Sequence, residues 1–170
     1  VDSIDPNIYK QSIKTCLAVR KWIEKEKLSA FTVNFLAAGS EIGLGTMPFL
    51  EASKAMAKGI GYAGEGDVLT AALVGALMSI YPETSFTEMF CPDWKNNSIL
   101  LSHMGEMNLD LMADKPVLVM KPFPFTDASD TVTALGRFKP GKAVFVNLAP
   151  SSDNTYALIV SQVEMLDVEG

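Results

Sequence analysis

Histidine is almost missing from this 170-residue chain, and His103 is the only one. Every imidazole ligand or imidazole base that the chain supplies therefore has to be that residue. Cysteine is nearly as scarce. Cys16 lies inside a helical pattern and Cys91 beside Pro92, far apart in sequence, and the two read as free thiols of a cytoplasmic protein rather than as a disulfide framework. Gly or polar residues interrupt every apolar run before it reaches the roughly 18 residues that span a bilayer, so no membrane partner is expected. Positive charge is also short, with 14 basic against 20 acidic residues and a net charge of −6. Without a basic block or basic–aromatic interleaving, nucleic acid is an unsuitable partner. The opening Val1-Asp2-Ser3-Ile4-Asp5 has no basic region followed by an apolar one and no initiator Met. The expectation is a cut edge without a secretory signal.

What is present suffices for a core, since 48% of the residues are hydrophobic. The length permits one domain, or one domain and part of another. Asp5-Pro6 offers a cap and a first-turn proline, and Ile8, Ile13, Cys16, Leu17, Trp22 and Ile23 recur at near-helical spacing. These predict an amphipathic helix over about 6–27. The β-rich run 30–36 predicts a buried strand that stops at Gly39. Pro48 opens a second helix that leaves through Lys58-Gly59. A third helix, 67–80, has almost no charge, which predicts burial on most of its sides. Helix, strand, helix, short strand, helix is the order of a layered, Rossmann-like α/β domain.

Composition changes near 112–116. Beyond it, Pro116, Pro122, Pro124, Pro140 and Pro150 punctuate β-prone runs at 117–120, 131–138, 143–148 and 156–163. Pro140-Gly141 and Ser151-Ser152-Asp153-Asn154 supply turn chemistry between them. This half reads as a partial antiparallel β-barrel whose last strands leave open edges. The domains expected are thus 1–115 and 116–170.

Three side chains stand out as carriers of chemistry. Glu65 is flanked by Gly64 and Gly66 just ahead of a helix start, where positive φ is permitted and the helix dipole favours an ionised carboxylate; a solvated turn glutamate is the plain alternative. Glu88 lies among Phe86, Met89 and Phe90, surroundings that raise a carboxyl pKa unless a cation is near; the wet face of an alternating strand is the alternative. His103 follows Ser98-Ile99-Leu100-Leu101 and is expected at the carboxyl end of a buried strand, where open α/β sheets place their ligand crevice. A hydrogen-bonded core histidine is its alternative. Asp67 is read as a helix cap, and Glu106 either as an acceptor for the His103 ring N–H or as a surface charge. Trp94 is read as packing over a core edge or as lining a pocket by stacking. Two carboxylates and an imidazole suit Mn²⁺ or Mg²⁺, with Zn²⁺ or Fe²⁺ also possible.

The order of Pro48-Phe49-Leu50-Glu51-Ala52-Ser53, Gly61-Tyr62-Ala63-Gly64-Glu65-Gly66-Asp67, Thr70-Ala71-Ala72-Leu73, Thr84-Ser85-Phe86-Thr87-Glu88 and Ser102-His103-Met104 resembles the core of the L-arabinose isomerase family, over roughly residues 45–110. The resemblance implies a piece of a long, homo-oligomeric, cytoplasmic aldose–ketose isomerase that uses Mn²⁺ or another divalent cation on an open-chain sugar. Residues 1–115 would be the last part of its central α/β catalytic domain, and 116–170 the first part of its C-terminal β-rich domain. It further implies that Glu65 and Glu88 are the acid/base pair, and that both bind the metal together with His103. A fourth ligand, a later histidine, has no counterpart among these residues, and Val68 stands where members commonly carry an aromatic. A sugar-binding paralogue without catalysis, and a metal-dependent hydrolase, are the rival readings.

Overall fold

The computed structural model describes residues 4–168, so the expectations placed on the first three and last two residues lie outside it. Helix α1 (Pro6–Glu26) starts where the proline and its cap require. Asp5 Oδ1 accepts the N–H groups of Asn7 at 2.8 Å and Ile8 at 3.2 Å, two of the donors that a helix start leaves without partners. It ends at Lys27 in the left-handed conformation, φ 52°. Its buried face is Ser12, Cys16, Val19 and Ile23, a stripe rotated from the expected one, so that Leu17 and Trp22 are 45% and 46% exposed.

Strand β1 (Ala30–Thr32) pairs in parallel with β2 (Gly61–Ala63), with Phe31 opposite Tyr62. The strand expected through residue 36 stops early. Asn34 accepts the Leu36 N–H at 3.0 Å and turns the chain into a 3₁₀ segment, Phe35–Ala37, a local side-chain bond that competes with the strand ladder. Helix α2 (Phe49–Met56) follows Pro48 and is buried along nearly its whole length.

Helix α3 (Val68–Met78) is capped by Asp67, whose two oxygens take the Thr70 N–H at 2.8 Å and the Thr70 hydroxyl at 2.6 Å. It approaches the strands through a glycine contact: a Cβ on Gly61 would stand 2.3 Å from the Gly75 nitrogen. Burial on most sides of α3 is not what the fold provides. Only Ala71, Val74 and Met78 are buried, and Val68 is 71% exposed, because the helix packs by one stripe onto β1 and β2.

The remaining strands form antiparallel pairs. β3 (Glu88–Asp93) pairs with β4 (Ser98–Ser102), with an irregularity between Met89 and Cys91. β5 (Val117–Lys121) pairs with β6 (Thr131–Leu135), and β7 (Gly141–Pro150) with β8 (Tyr156–Met165). Every sheet among the described residues therefore has two strands, and none closes into a barrel. The described residues form a mixed α/β structure with three α-helices and several small sheets.

Strand β6 is built into the helical core. Residues 131–134 are buried, the Val132 N–H donates to Ser12 Oγ at 3.2 Å, and the Thr131 hydroxyl donates to the Met47 carbonyl at 2.9 Å. Ala134 packs with Cys16 and Leu50. A larger cluster gathers Val19, Ile23, Phe31, Met56, Tyr62, Val74 and Phe86, and Phe35, Met47, Phe49 and Phe123 form another. Among the described residues no helix is long and apolar enough to cross a membrane.

Candidate functional site

Glu65 sits on the turn that leaves the carboxyl end of β2. Its φ is 57°, followed by 83° at Gly66. A non-glycine residue there costs about 1–3 kcal/mol and persists only where its surroundings fix it. Thr32 does so, since its Oγ1 accepts the Gly66 N–H at 3.1 Å while its hydroxyl reaches the Gly64 carbonyl at 3.4 Å. Glu65 itself is exposed.

Glu88 opens β3 opposite Ser102, and His103 is the next residue. The hairpin thus sets Glu88 Oε2 3.9 Å from His103 Nε2, beyond a hydrogen bond but within charge range. The expected buried strand ahead of His103 is corrected here. β4 is antiparallel and none of its residues is buried, and it is the imidazole that is buried, its side chain 5% accessible. The rings of Phe35 and Phe86 pack on it at 6.1 and 5.1 Å, and the backbone of Gly64 closes its other edge.

Behind the ring stands Glu106. Of the two readings open for it, the surface charge falls, since it is 2% exposed. Its Oε2 lies 2.7 Å from His103 Nδ1, and its Oε1 accepts the Tyr62 hydroxyl at 2.9 Å. The segment that carries it is tied down on three sides. Thr133 donates to the Met104 carbonyl at 2.9 Å; Ser53 Oγ donates to the Gly105 carbonyl at 3.1 Å and accepts the Met107 N–H at 3.3 Å. Asn108 Nδ2 donates to the carbonyls of Pro82 at 3.3 Å and Thr84 at 2.9 Å. Gly105, at φ 111°, is needed because a Cβ would stand 2.1 Å from Thr133 Oγ1.

Charge accumulates around this one ring. Burial raises the Glu88 pKa above its ordinary value; His103 opposes the rise, and Glu65 and Glu106 add to it. Burial would lower the His103 pKa, but the Glu106 hydrogen bond and the charges of Glu106, Glu88 and Glu65 outweigh it, and the net direction is upward. Tyr62 is held well above its usual value by burial and then by Glu106.

The structure thus brings Glu88 and His103 together, with Glu106 behind them and Glu65 within electrostatic reach. Among the described residues no group of three or more His, Cys, Asp or Glu side chains is gathered so as to hold a metal ion. In donor chemistry the set still fits a hard divalent cation. It offers carboxylate oxygens and an imidazole Nε2 that no side chain among the described residues occupies within hydrogen-bonding distance.

Trp94 is 87% exposed at the β3–β4 hairpin tip, so it does not pack over a core edge. Cys16 and Cys91 are both free. Sequence reasoning passed over Tyr62 and Thr32. The signal for Tyr62 was available, as a phenol inside the apolar, glycine-rich run 59–64 has to find a partner for its hydroxyl once buried. Thr32 carried none, since its role depends on the turn 32 residues later.

Residues 3–82 match the L-arabinose isomerase central domain and residues 83–170 the L-arabinose isomerase C-terminal domain. The chain is 32% identical to L-arabinose isomerase 2 of Clostridium acetobutylicum over 165 residues, covering 92% of this chain and 33% of that protein. With the L-arabinose isomerase of Leuconostoc mesenteroides it shares 32% identity over 148 residues, 85% of this chain and 31% of the relative. The Lactiplantibacillus plantarum enzyme of the same name is 30% identical over 157 residues, 88% of this chain and 32% of its own. The chain spans about a third of the length of these relatives. With both halves matched by successive domains of one family, the chain belongs to the L-arabinose isomerase family.

Proposed function

We propose that the chain is part of a divalent-metal-dependent aldose–ketose isomerase acting on an open-chain sugar, with Glu65 and Glu88 as its acid/base pair. The observation that carries this reading is the pairing of Glu88 with a buried His103 at 3.9 Å, beside the strained turn that holds Glu65. In the reaction the C2–H bond breaks and a C1–H bond forms, while a proton passes from the C2 hydroxyl to the C1 oxygen. One carboxylate removes the C2 proton to give an enediol, and a carboxyl returns a proton to C1. Glu88 suits the exchange because burial favours its protonated form.

Glu65, Glu88 and His103 would hold the cation, Mn²⁺ by donor type. When bound, it supplies positive charge to the two sugar oxygens between which negative charge moves. The proposal extends to a homo-oligomeric, cytoplasmic enzyme in which β1–β2 belongs to a wider layered sheet and residues 116–170 to a larger β-barrel domain. The open edges of the two-stranded sheets support it.

A non-catalytic sugar-binding relative is the second reading, favoured by the absence of a gathered three-ligand cluster among the described residues. A panel of aldopentoses incubated with Mn²⁺ and the whole protein that carries this segment separates them. Ketose formation that stops on chelation supports the isomerase. Sugar binding without conversion, at saturating Mn²⁺, contradicts it.

A further inference from the structure

Glu106 is 2% exposed and Tyr62 fully buried, and a carboxylate in such a place is costly unless its oxygens are paired. Both are, one by the Tyr62 hydroxyl at 2.9 Å and the other by His103 Nδ1 at 2.7 Å. A carboxylate only accepts, so Nδ1 must donate, and a neutral imidazole then carries its lone pair on Nε2. That is the nitrogen facing Glu88. Tyr62 stands on β2, three residues before Glu65, and Gly64 at the same strand's exit lies so near the ring that an added Cβ would stand 2.7 Å from Cε1 and 3.0 Å from Nε2. One strand therefore braces Glu106 behind the ring through its tyrosine and carries Glu65 at its exit, within electrostatic reach of the imidazole.

We propose that Tyr62 and Glu106 are positioning residues that fix the proton of His103 on Nδ1 and present its bare Nε2 to Glu88 and Glu65. Tyr62 keeps Glu106 aimed at the ring, and Glu106 sets the tautomer. The inference rests on reading Glu88 and His103 as the site, but it is tested without sugar or metal.

The single histidine makes the experiment direct. The 170-residue chain is labelled with ¹⁵N-histidine, and two-bond ¹H–¹⁵N correlations are recorded at a pH where the imidazole is neutral. They report which nitrogen carries the proton. Wild type is expected to show Nδ1–H alone. Glu106→Gln places an amide that can donate to Nδ1 and should lose the bias, Tyr62→Phe should weaken it, and the double variant should match Glu106→Gln, since Tyr62 acts only through Glu106.

Thermal unfolding by circular dichroism checks that each variant is folded. If Glu106→Gln does not fold, Tyr62→Phe, which keeps the ring in its slot, decides alone. An unchanged Nδ1–H tautomer in folded Tyr62→Phe and Glu106→Gln, or in Tyr62→Phe alone where the other fails to fold, overturns the proposal. Mn²⁺ affinity on the same variants separates this inference from the functional reading. A fall of about 10–100-fold is expected if His103 is a ligand, whereas a shifted tautomer with unchanged Mn²⁺ affinity sustains the positioning role and removes His103 from the ligand set.

Discussion

The imidazole of His103 rests on the backbone of Gly64: a Cβ there would stand 2.7 Å from Cε1 and 3.0 Å from Nε2. Because Gly64 directly precedes Glu65, this contact sets the distance between the turn glutamate and the ring. Gly64→Ala should push the ring off Nε2-first presentation and destabilise the fold by about 1–3 kcal/mol, the range for overpacking a close contact. Urea unfolding gives the energy, and the His103 NMR signals give the displacement. A wild-type stability and spectrum would mean that the contact does not position the ring.

Glu65→Gln and Glu88→Gln in the whole protein should each lower turnover by about 10²–10⁴ while leaving the fold intact, as expected for loss of a general acid or base. An amide keeps the shape but does not take up the proton. Initial rates of ketose formation beside circular dichroism spectra check this. Near-full activity in either variant removes that residue from the mechanism.

Arg20 and Glu51 form a two-pronged pair, with Nε–Oε1 at 2.8 Å and Nη2–Oε2 at 2.6 Å, and Glu51 is buried. Arg20→Ala would leave that carboxylate uncompensated, and breaking a buried pair costs roughly 3–5 kcal/mol. With the Arg20 side chain 30% exposed, water reaches the site and the loss should fall toward the lower end. Glu51→Ala, which removes the buried charge and leaves the cation near solvent, should cost less. Chemical denaturation of the two variants measures the order, and the reverse order would contradict this account.

The two thiols should differ sharply in reactivity. Burial pushes the Cys16 pKa up to about 11, and the thiolate is the reactive form, whereas Cys91 is exposed on β3. A disulfide reagent at pH 8 should titrate one thiol in the native chain and both in denaturant. Rapid reaction of both in the native state would mean that α1 does not bury Cys16 against Leu50 and Ala134.

Local chemistry was the legible part of this chain. The Asp5 and Asp67 caps depend on side-chain-to-backbone bonds within a few residues, Pro48 acts through its fixed φ alone, and the helices begin where those signals stand. The four β-prone runs after residue 116 likewise became β5 to β8. The face a helix buries was less legible, because it is chosen by distant partners. The α1 stripe turned toward Ser12 because Val132, 120 residues later, needed that hydroxyl for its N–H. Strand β1 ended early through Asn34. At the site, Glu88 and His103 could be singled out by type and setting, but their proximity depends on the β3–β4 register. The Tyr62–Glu106 contact spans 44 residues and left no periodic trace.

Mn²⁺ titration of the ¹⁵N-histidine-labelled chain, observed by NMR, tests most directly the claim that Glu88 and His103 form a cation site. The ion broadens nuclei near it, and the indoles of Trp22 and Trp94, both outside the site, serve as internal controls. Selective broadening of the His103 ring at low-affinity Mn²⁺ concentrations, lost in Glu88→Gln, is the predicted result. A His103 signal that stays sharp while other resonances broaden would contradict it.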